Sequence, residues 1–427
     1  MKYSFYNIFV RREEYYILCN LFQRKLIFLD SVTYFQLINL DADKLRSDNY
    51  QLYCRLYSNG FIVETNLNEY DQILNIRKIV DSNDSELFLM INPTMDCNFS
   101  CWYCYETKVR NSKMSADVIK KLQAFISNTL NENKTIKKLS LSFFGGEPFL
   151  CFNDVIKPLL IYAVKNCSVN LSFTTNASLI DDDILSFFYD NRLSPQFQIT
   201  LDGWSNTHNK VRFSNCLKDS YSLILSNIKK INEKKFNVRV RINYTANIIK
   251  DLHKIINDFE KLDIDKKYIL FDFQRVWQDE KNDGVDTKVH SIMELFRVKG
   301  YMVSNKYSLN NLYDSCYADK YNSYVINYNG DIYKCTARDF TQNSREGYLS
   351  DNGNLVFEND SLNSRMKSKF KNSLCKVCKY FPVCLGGCSQ QAIENYGNDY
   401  CIYPSDSQRK LLVDSLVDEI LNGIGLK

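Results

Sequence analysis

Apolar positions change their period several times along the chain, and the changes divide it into segments. Residues 5 to 29 carry aromatic and β-branched residues in two runs, FYNIFVRR and YYILCNLFQRKLIFLD, which predict a β-hairpin. A helical stretch starts at Ser31. NYQLYCRLYSNG then predicts another helix stopped by Gly60, with FIVE a short strand behind it. Strands and short helices in residues 1–66 resemble a small winged-helix module, and residues 67–85 read as a polar, helical linker. From Glu86 onward, strands and helices alternate. The strands are ELFLMIN, KLSLSFFGGEP, NLSFTTNA, FQITLDG, VRVRINYTAN and YILFDFQRV, and the intervening helices include one from about Ser115. Such alternation predicts parallel β/α units. The stretch from 86 to about 280 is too short for eight units, so a partial (β/α)6, TIM-like barrel is expected within residues 86–300. Sites in these folds gather at the carboxyl ends of the strands. Residues 301–427 loosen into short strands, turns and cysteines, the texture of a domain held by metal more than by an apolar core.

Composition narrows the chemistry. Lys and Arg number 54 against 50 Asp and Glu, a balance spread along the chain that gives no basic stripe for nucleic acid. No apolar run reaches the ~20 residues of a membrane span. The start, MKYSFYNIFVRREEYYIL, lacks the features of a signal peptide. A soluble, cytoplasmic protein is expected. Fifteen cysteines in a reducing compartment read as metal ligands before disulfides. With only three histidines, an all-thiolate centre is favoured, iron–sulfur before zinc.

CNFSCWYC puts Cys97, Cys101 and Cys104 in a C-x3-C-x2-C triplet. A 4Fe–4S cubane has four irons, so three thiolates leave one position open. A closed zinc site wants four ligands, and free core cysteines or part of a zinc knuckle are the alternatives. Forty-one residues after Cys104 begins GGEP, Gly145 to Pro148, at the end of an apolar strand. Its glycines allow the backbone to approach a ligand. Together these motifs resemble the radical S-adenosylmethionine (SAM) enzymes, which carry an aromatic where Tyr103 stands. The resemblance implies that the three cysteines hold a cluster whose fourth iron SAM chelates. It further implies that Gly145, Gly146 and Glu147, with Pro148 behind them, receive the methionyl ammonium. Asn176, Thr200 and Asp202 become polar cofactor contacts, and Arg212 of HNKVR the partner of the SAM carboxylate. One-electron cleavage of SAM would yield a 5′-deoxyadenosyl radical that removes a hydrogen atom from substrate.

Seven more cysteines read C-x13-G-x4-C, then C-x2-C-x5-C-x3-C, then C: Cys316, Cys335, Cys375, Cys378, Cys384, Cys388 and Cys401, with Gly330 the glycine. A zinc ribbon on Cys375, Cys378, Cys384 and Cys388 would strand the other three. The spacing resembles the SPASM extension of radical SAM enzymes acting on peptides and proteins, which implies two auxiliary 4Fe–4S clusters and three in all. Cys375, Cys378, Cys384 and Cys401 would hold one; Cys316, Cys335 and Cys388 the other, its open iron capped by water, Asp314 or a substrate thiolate. Cys19, Cys54, Cys151, Cys167 and Cys216 are expected to be inert core thiols.

Two branches of that family compete. The anaerobic sulfatase-maturating branch places an acid directly after the cysteine of G-x4-C. Here Thr336 follows Cys335, and Arg338 and Asp339 are the candidates left for a catalytic side chain. The N-terminal module instead resembles the PqqD-like domain of peptide maturases, which implies a precursor peptide whose leader adds a strand to the NIFVRR/KLIFLD sheet; a packing domain is the alternative. The expected function is maturation of a ribosomal peptide by a cross-link, thioether first, carbon–carbon or carbon–oxygen next, with flavodoxin or ferredoxin as reductant. A zinc-stabilised interaction scaffold is the reading from a different class.

Overall fold

Six parallel strands form the middle of the largest sheet: β1 (Glu86–Ile91), β2 (Lys138–Phe143), β3 (Val169–Thr175), β4 (Gln196–Leu201), β5 (Asn237–Tyr244) and β6 (Ile269–Arg275). In this computed structural model each pairs in parallel with the next in chain order. The structure describes all residues except 13, 14, 215, 277, 280–282, 306–311, 369, 396–398 and 424–427. Parallel neighbours need crossover helices, and these cover one face of the sheet. Leu87, Leu89 and Ile91 of β1 and Val238, Val240 and Ile242 of β5 point into that covered layer and are buried. Alternate residues face the other way, and there β5 carries Arg239, Arg241 and Asn243. The six expected β/α units are therefore present.

The sheet extends past them at both edges. A seventh parallel strand, β7 (Met302–Asn305), pairs with β6. Beside β1 lies the parallel strand Ser323–Ile326, followed by antiparallel Asp331–Tyr333, Gly347–Leu349 and Leu355–Phe357, eleven strands among the described residues. Strands of three or four residues carry too little periodicity to be found by pattern.

Residues Asp84–Lys306 and Tyr321–Leu362 make one compact unit; Met1–Asn83, Tyr307–Lys320 and Asn363–Lys427 make another. In the latter, the expected hairpin is a three-stranded antiparallel sheet, because the second run breaks at Leu21–Arg24 into Tyr16–Asn20 and Lys25–Leu29. Asn7–Arg11 and Lys25–Leu29 are its two edges. Three short helices follow, at Ser31–Asn39, Ala42–Asp48 and Tyr50–Ser58, with Asp30, Asp41 and Asn49 capping their first turns.

The expected linker is a packed helix, Glu69–Asp81, whose Ile73 is fully buried in a core with Tyr6, Ile17, Phe381 and Leu416. Its polar look misleads because its charges are buried with partners. Arg77 is 2% exposed; Nη2 donates to Asp81 Oδ1 at 3.0 Å and Ser315 Oγ at 2.5 Å, and Nη1 to the carbonyls of Leu312 (3.1 Å) and Asp314. The segment leading into Cys316 is thus tied to this helix. Removing one partner of such a buried network costs about 3 kcal/mol. Arg77→Ala should lower Tm accordingly, and Arg77→Lys should recover only part, since a lysine cannot reproduce the fork. An unchanged melting curve would contradict this assignment.

Candidate active site

The cysteine triplet lies in the long connection after β1, and hydrogen bonds fix the start of that loop. Thr94 Oγ1 donates to the Ser112 carbonyl at 2.6 Å, Met95 N to Ser112 Oγ at 2.9 Å, and Asn111 N to Asp96 Oδ2 at 2.9 Å. The strand-end glycines complete the clamp. Gly146 N donates to the Thr94 carbonyl at 3.1 Å and Glu147 N to the Asp96 carbonyl at 2.8 Å. Gly145 has φ +97°, and a Cβ there would stand 2.5 Å from the Thr94 carbonyl oxygen. The glycines admit the backbone of the cysteine loop, and both also line the cavity described below.

Glu147 is bound by the protein itself. Its carboxylate is fully buried, with Oε1 accepting from Thr175 Oγ1 (2.8 Å) and Phe149 N (3.1 Å) and Oε2 from Asn176 N (2.8 Å). It pins the end of β3 and orients Asn176, whose Nδ2 lies 2.8 Å from Asn98 Oδ1 and 4.0 Å from Cys97 Sγ. Pro148 is buried in the short helix that follows. Burial, then the nearby Glu147 charge, pushes the Cys97 thiol up to about 12.

Beside the triplet lies a second network. Tyr103 Oη donates to Asp202 Oδ2 at 2.6 Å and accepts from Arg212 Nη1 and Asn243 Nδ2, each at 3.1 Å. Arg212 Nη1 also reaches Asp202 Oδ2 at 3.3 Å, its guanidinium lies over the Phe99 ring, and its backbone pairs with Cys101. Asp202 is fully buried behind these groups. Burial pushes its carboxyl up and the guanidinium draws it back down. His208 Nδ1 accepts from Asp202 N at 3.2 Å, and burial pushes that imidazole well below its usual range, keeping it neutral. Asp202, expected as a cofactor contact, holds Tyr103 and Arg212.

Cys97, Cys101 and Cys104 line a cavity of about 530 Å³ with Gly145, Gly146 and Asn176. Tyr103, Thr200 and Arg212 join them. Glu147, Pro148 and Asp202 do not reach its surface, nor do Arg338 and Asp339. Asp339 instead accepts from Thr107 N (3.1 Å) and Thr107 Oγ1 (2.5 Å). Thr336, Ala337 and Glu106 line it unforeseen. Burial, then the nearby Asp339, pushes the Glu106 carboxyl up to about 8.

Residues 91–259 match the Radical SAM superfamily. This part of the chain is a radical SAM domain. The chain is 27% identical over 356 residues to a cysteine-type anaerobic sulfatase-maturating enzyme of Clostridium novyi (strain NT), covering 73% of this chain and 90% of the relative. To the radical SAM cyclopropyl synthase TigE of Paramaledivibacter caminithermalis it is 20% identical over 402 residues, 86% of this chain and 82% of that one. Two solved structures share the fold. Native anSMEcpe with bound AdoMet aligns at 21% identity and TM-score 0.60, covering 78% of this chain and 98% of that one. Streptococcus suis SuiB bound to precursor peptide SuiA aligns at 18% identity and TM-score 0.55, covering 96% and 99%.

A radical SAM domain implies a 4Fe–4S cluster and SAM, and the residues present fit both. Three thiols without a fourth open on one cavity, whose volume suits a nucleoside-sized ligand. Asn176 and Thr200 offer side-chain polar groups on its wall. In the other compact unit, Cys375, Cys378, Cys384 and Cys401 are near enough to act on one another electrostatically. Burial and then those neighbours push Cys375 to about 11 and Cys384 to about 12. The turn between Cys384 and Cys388 uses three successive left-handed residues, Leu385, Gly386 and Gly387, which brings Gly386 to where a Cβ would lie 3.8 Å from Cys375 Sγ. Among the described residues no three Cys, His, Asp or Glu side chains meet at single-ion distance. A cubane, with its ligands on separate irons, asks only that thiolates ring a space. Cys316 and Cys388 belong to this unit and Cys335 to the radical SAM unit. Of the thiols expected to be inert, Cys19 and Cys151 are buried, whereas Cys216 is exposed. No helix among the described residues is long and apolar enough to cross a membrane.

Proposed function

We propose that this radical SAM enzyme matures a ribosomally made precursor peptide in the cytoplasm, removing a C–H hydrogen and installing a cross-link, a thioether first and a carbon–carbon or carbon–oxygen bond next. The observation that carries this reading is one cavity lined both by the Cys97, Cys101 and Cys104 thiols and by Thr336 and Ala337, the two residues after Cys335. When bound, the cluster and SAM supply the one-electron chemistry that yields the abstracting radical. The chain's part is positional. The Gly146 and Glu147 amides hold the cysteine loop, Asn176 and Thr200 orient the cofactor, and the cavity wall excludes competing hydrogen donors.

Auxiliary clusters would sit on Cys375, Cys378, Cys384 and Cys401, and on Cys316, Cys335 and Cys388. An open iron on the latter set can take a substrate thiolate. Asp314, the other expected cap, accepts from Ser315 N at 2.8 Å and lies 3.4 Å from Lys320 Nζ. A SuiB-like fold in complex with a precursor peptide supports a peptide substrate, and the two edges of the N-terminal sheet offer strand addition to a leader. A flavodoxin or ferredoxin would be the reductant. The sulfatase-maturating relatives favour a second reading, formylglycine formation. Against it, a threonine lines the cavity at residue 336, where that branch places its acid; the carboxylate on the cavity wall is that of Glu106, at a different position in the chain.

Anaerobic reconstitution tests the reading. Three cubanes predict about 12 irons per chain, and dithionite with SAM should release 5′-deoxyadenosine. Replacing Cys97, Cys101 and Cys104 together by alanine should remove about 4 irons and all release. A colourless zinc protein that releases none would end it. With a peptide encoded beside the gene, a product two hydrogen atoms lighter supports a cross-link, and an aldehyde trapped by a hydrazine supports formylglycine.

A further inference from the structure

The cavity-facing side of β5 carries a guanidinium that makes no ion pair among the described residues. Arg241 lines the cavity with Asn243 beside it, and the three other arginines there, Arg239, Arg275 and Arg212, are matched. Arg239 Nη1 lies 3.3 Å from Asp272 Oδ2, Arg275 Nη2 3.3 Å from Asp279 Oδ2, and Arg212 Nη1 3.3 Å from Asp202 Oδ2. Arg241 makes a single hydrogen bond, from Nε to Asn243 Oδ1 at 2.9 Å, and no ion pair among the described residues. Both of its terminal NH2 groups remain available, and they form the planar fork that matches a carboxylate.

Its place is set from two sides. Arg241 sits in register with Thr200 of β4 on one side and Asp272 of β6 on the other, but the Asp272 oxygens are taken by Arg239, Gln274 and Ser304; Asn243, which holds the Arg241 Nε, also donates to the Tyr103 hydroxyl. The guanidinium is therefore oriented by the same network that steadies the cysteine loop. A half-buried cation fixed in this way loses hydration without recovering it from the protein, and an anionic ligand group would restore it.

We infer that Arg241 is a carboxylate-binding subsite within the cavity, filled by an Asp, Glu or C-terminal carboxylate of the peptide substrate or by the methionyl carboxylate of SAM. The peptide source rests on the function proposed above; the subsite itself does not.

The test uses the reconstituted full chain, its Arg241→Gln and Arg241→Lys variants, and two probes. SAM alone is measured by equilibrium dialysis. N-acetyl-aspartyl methylamide is compared with its asparaginyl counterpart by saturation-transfer NMR in the presence of SAM. Iron content and Tm report that each variant folds. Losing the bidentate pair should weaken the carboxylate ligand by about tenfold in Arg241→Gln, with partial recovery in Arg241→Lys. Loss of the aspartyl probe's advantage with SAM affinity intact supports the subsite and identifies the peptide as its source. Loss of SAM affinity supports it and identifies the cofactor. If wild-type enzyme does not distinguish the two probes and SAM binds Arg241→Gln as tightly as wild type, the subsite is overturned. Wild-type release of 5′-deoxyadenosine reads the proposed function separately.

Discussion

A methyl group added at Gly146 is expected to cost this enzyme its SAM-site cluster and, with it, release of 5′-deoxyadenosine. The added Cβ would stand 2.5 Å from the Asp96 carbonyl carbon and 2.9 Å from that of Met95. Both are backbone atoms, so no side chain can turn aside. The loop cannot retreat either, because Thr94, Met95 and Asp96 are bound to Ser112 and Asn111. Overpacking costs roughly 1–3 kcal/mol, and a backbone-on-backbone collision belongs at the upper end. Cys97 follows Asp96 directly, so any relief by backbone movement shifts a cluster ligand. Iron content should fall by about 4 atoms per chain. Full iron and wild-type release in Gly146→Ala would refute the clamp.

The second large effect is expected at Asp202. Asp202→Asn keeps the shape and removes the charge facing Arg212, leaving a buried guanidinium uncompensated at a cost of about 3–5 kcal/mol. Tyr103 loses its shortest hydrogen bond, at 2.6 Å, and with it the hold on the last turn of the cysteine loop. Release of 5′-deoxyadenosine should fall by about 100-fold, and Tm should fall with it. The double variant Asp202→Asn/Arg212→Met separates the two consequences. It should regain much of the stability, since no charge is left buried, and none of the activity, since Tyr103 stays unanchored. If the two single losses simply add, Asp202 and Arg212 do not act as a pair.

Several of these roles carried a sequence signal that was readable but ambiguous. In VRVRINY a strand expected to lie under helices alternates arginine with valine and isoleucine. That alternation already implies a polar inner face, because a strand covered on both sides by apolar groups would read as a continuous apolar run. Glu106 stood two residues past Cys104 with nothing to mark it; its cavity position and raised pKa come from burial beside Asp339. Glu147 and Asp202 were legible as important positions, but not the protein groups that they bind. Both carboxylates turned out to bind the protein itself, through Asn176 and Thr175 in one case and Tyr103 and Arg212 in the other.

Periodicity and spacing are local properties, written in neighbouring residues, and they alone determined the six β/α units, the thiol triplet and the seven later cysteines. Tertiary structure decided which distant groups meet. Tyr103 and Asp202 are 99 residues apart, and Arg77 and Ser315 are 238 apart. Short strands such as Met302–Asn305 are held by the sheet they join, since three or four residues cannot favour the extended state alone. The same holds for charge. Arg239 and Arg241 both flank Asp272 across the sheet, and it is the fold that gives the Asp272 oxygen to Arg239 and leaves Arg241 without an ion pair among the described residues.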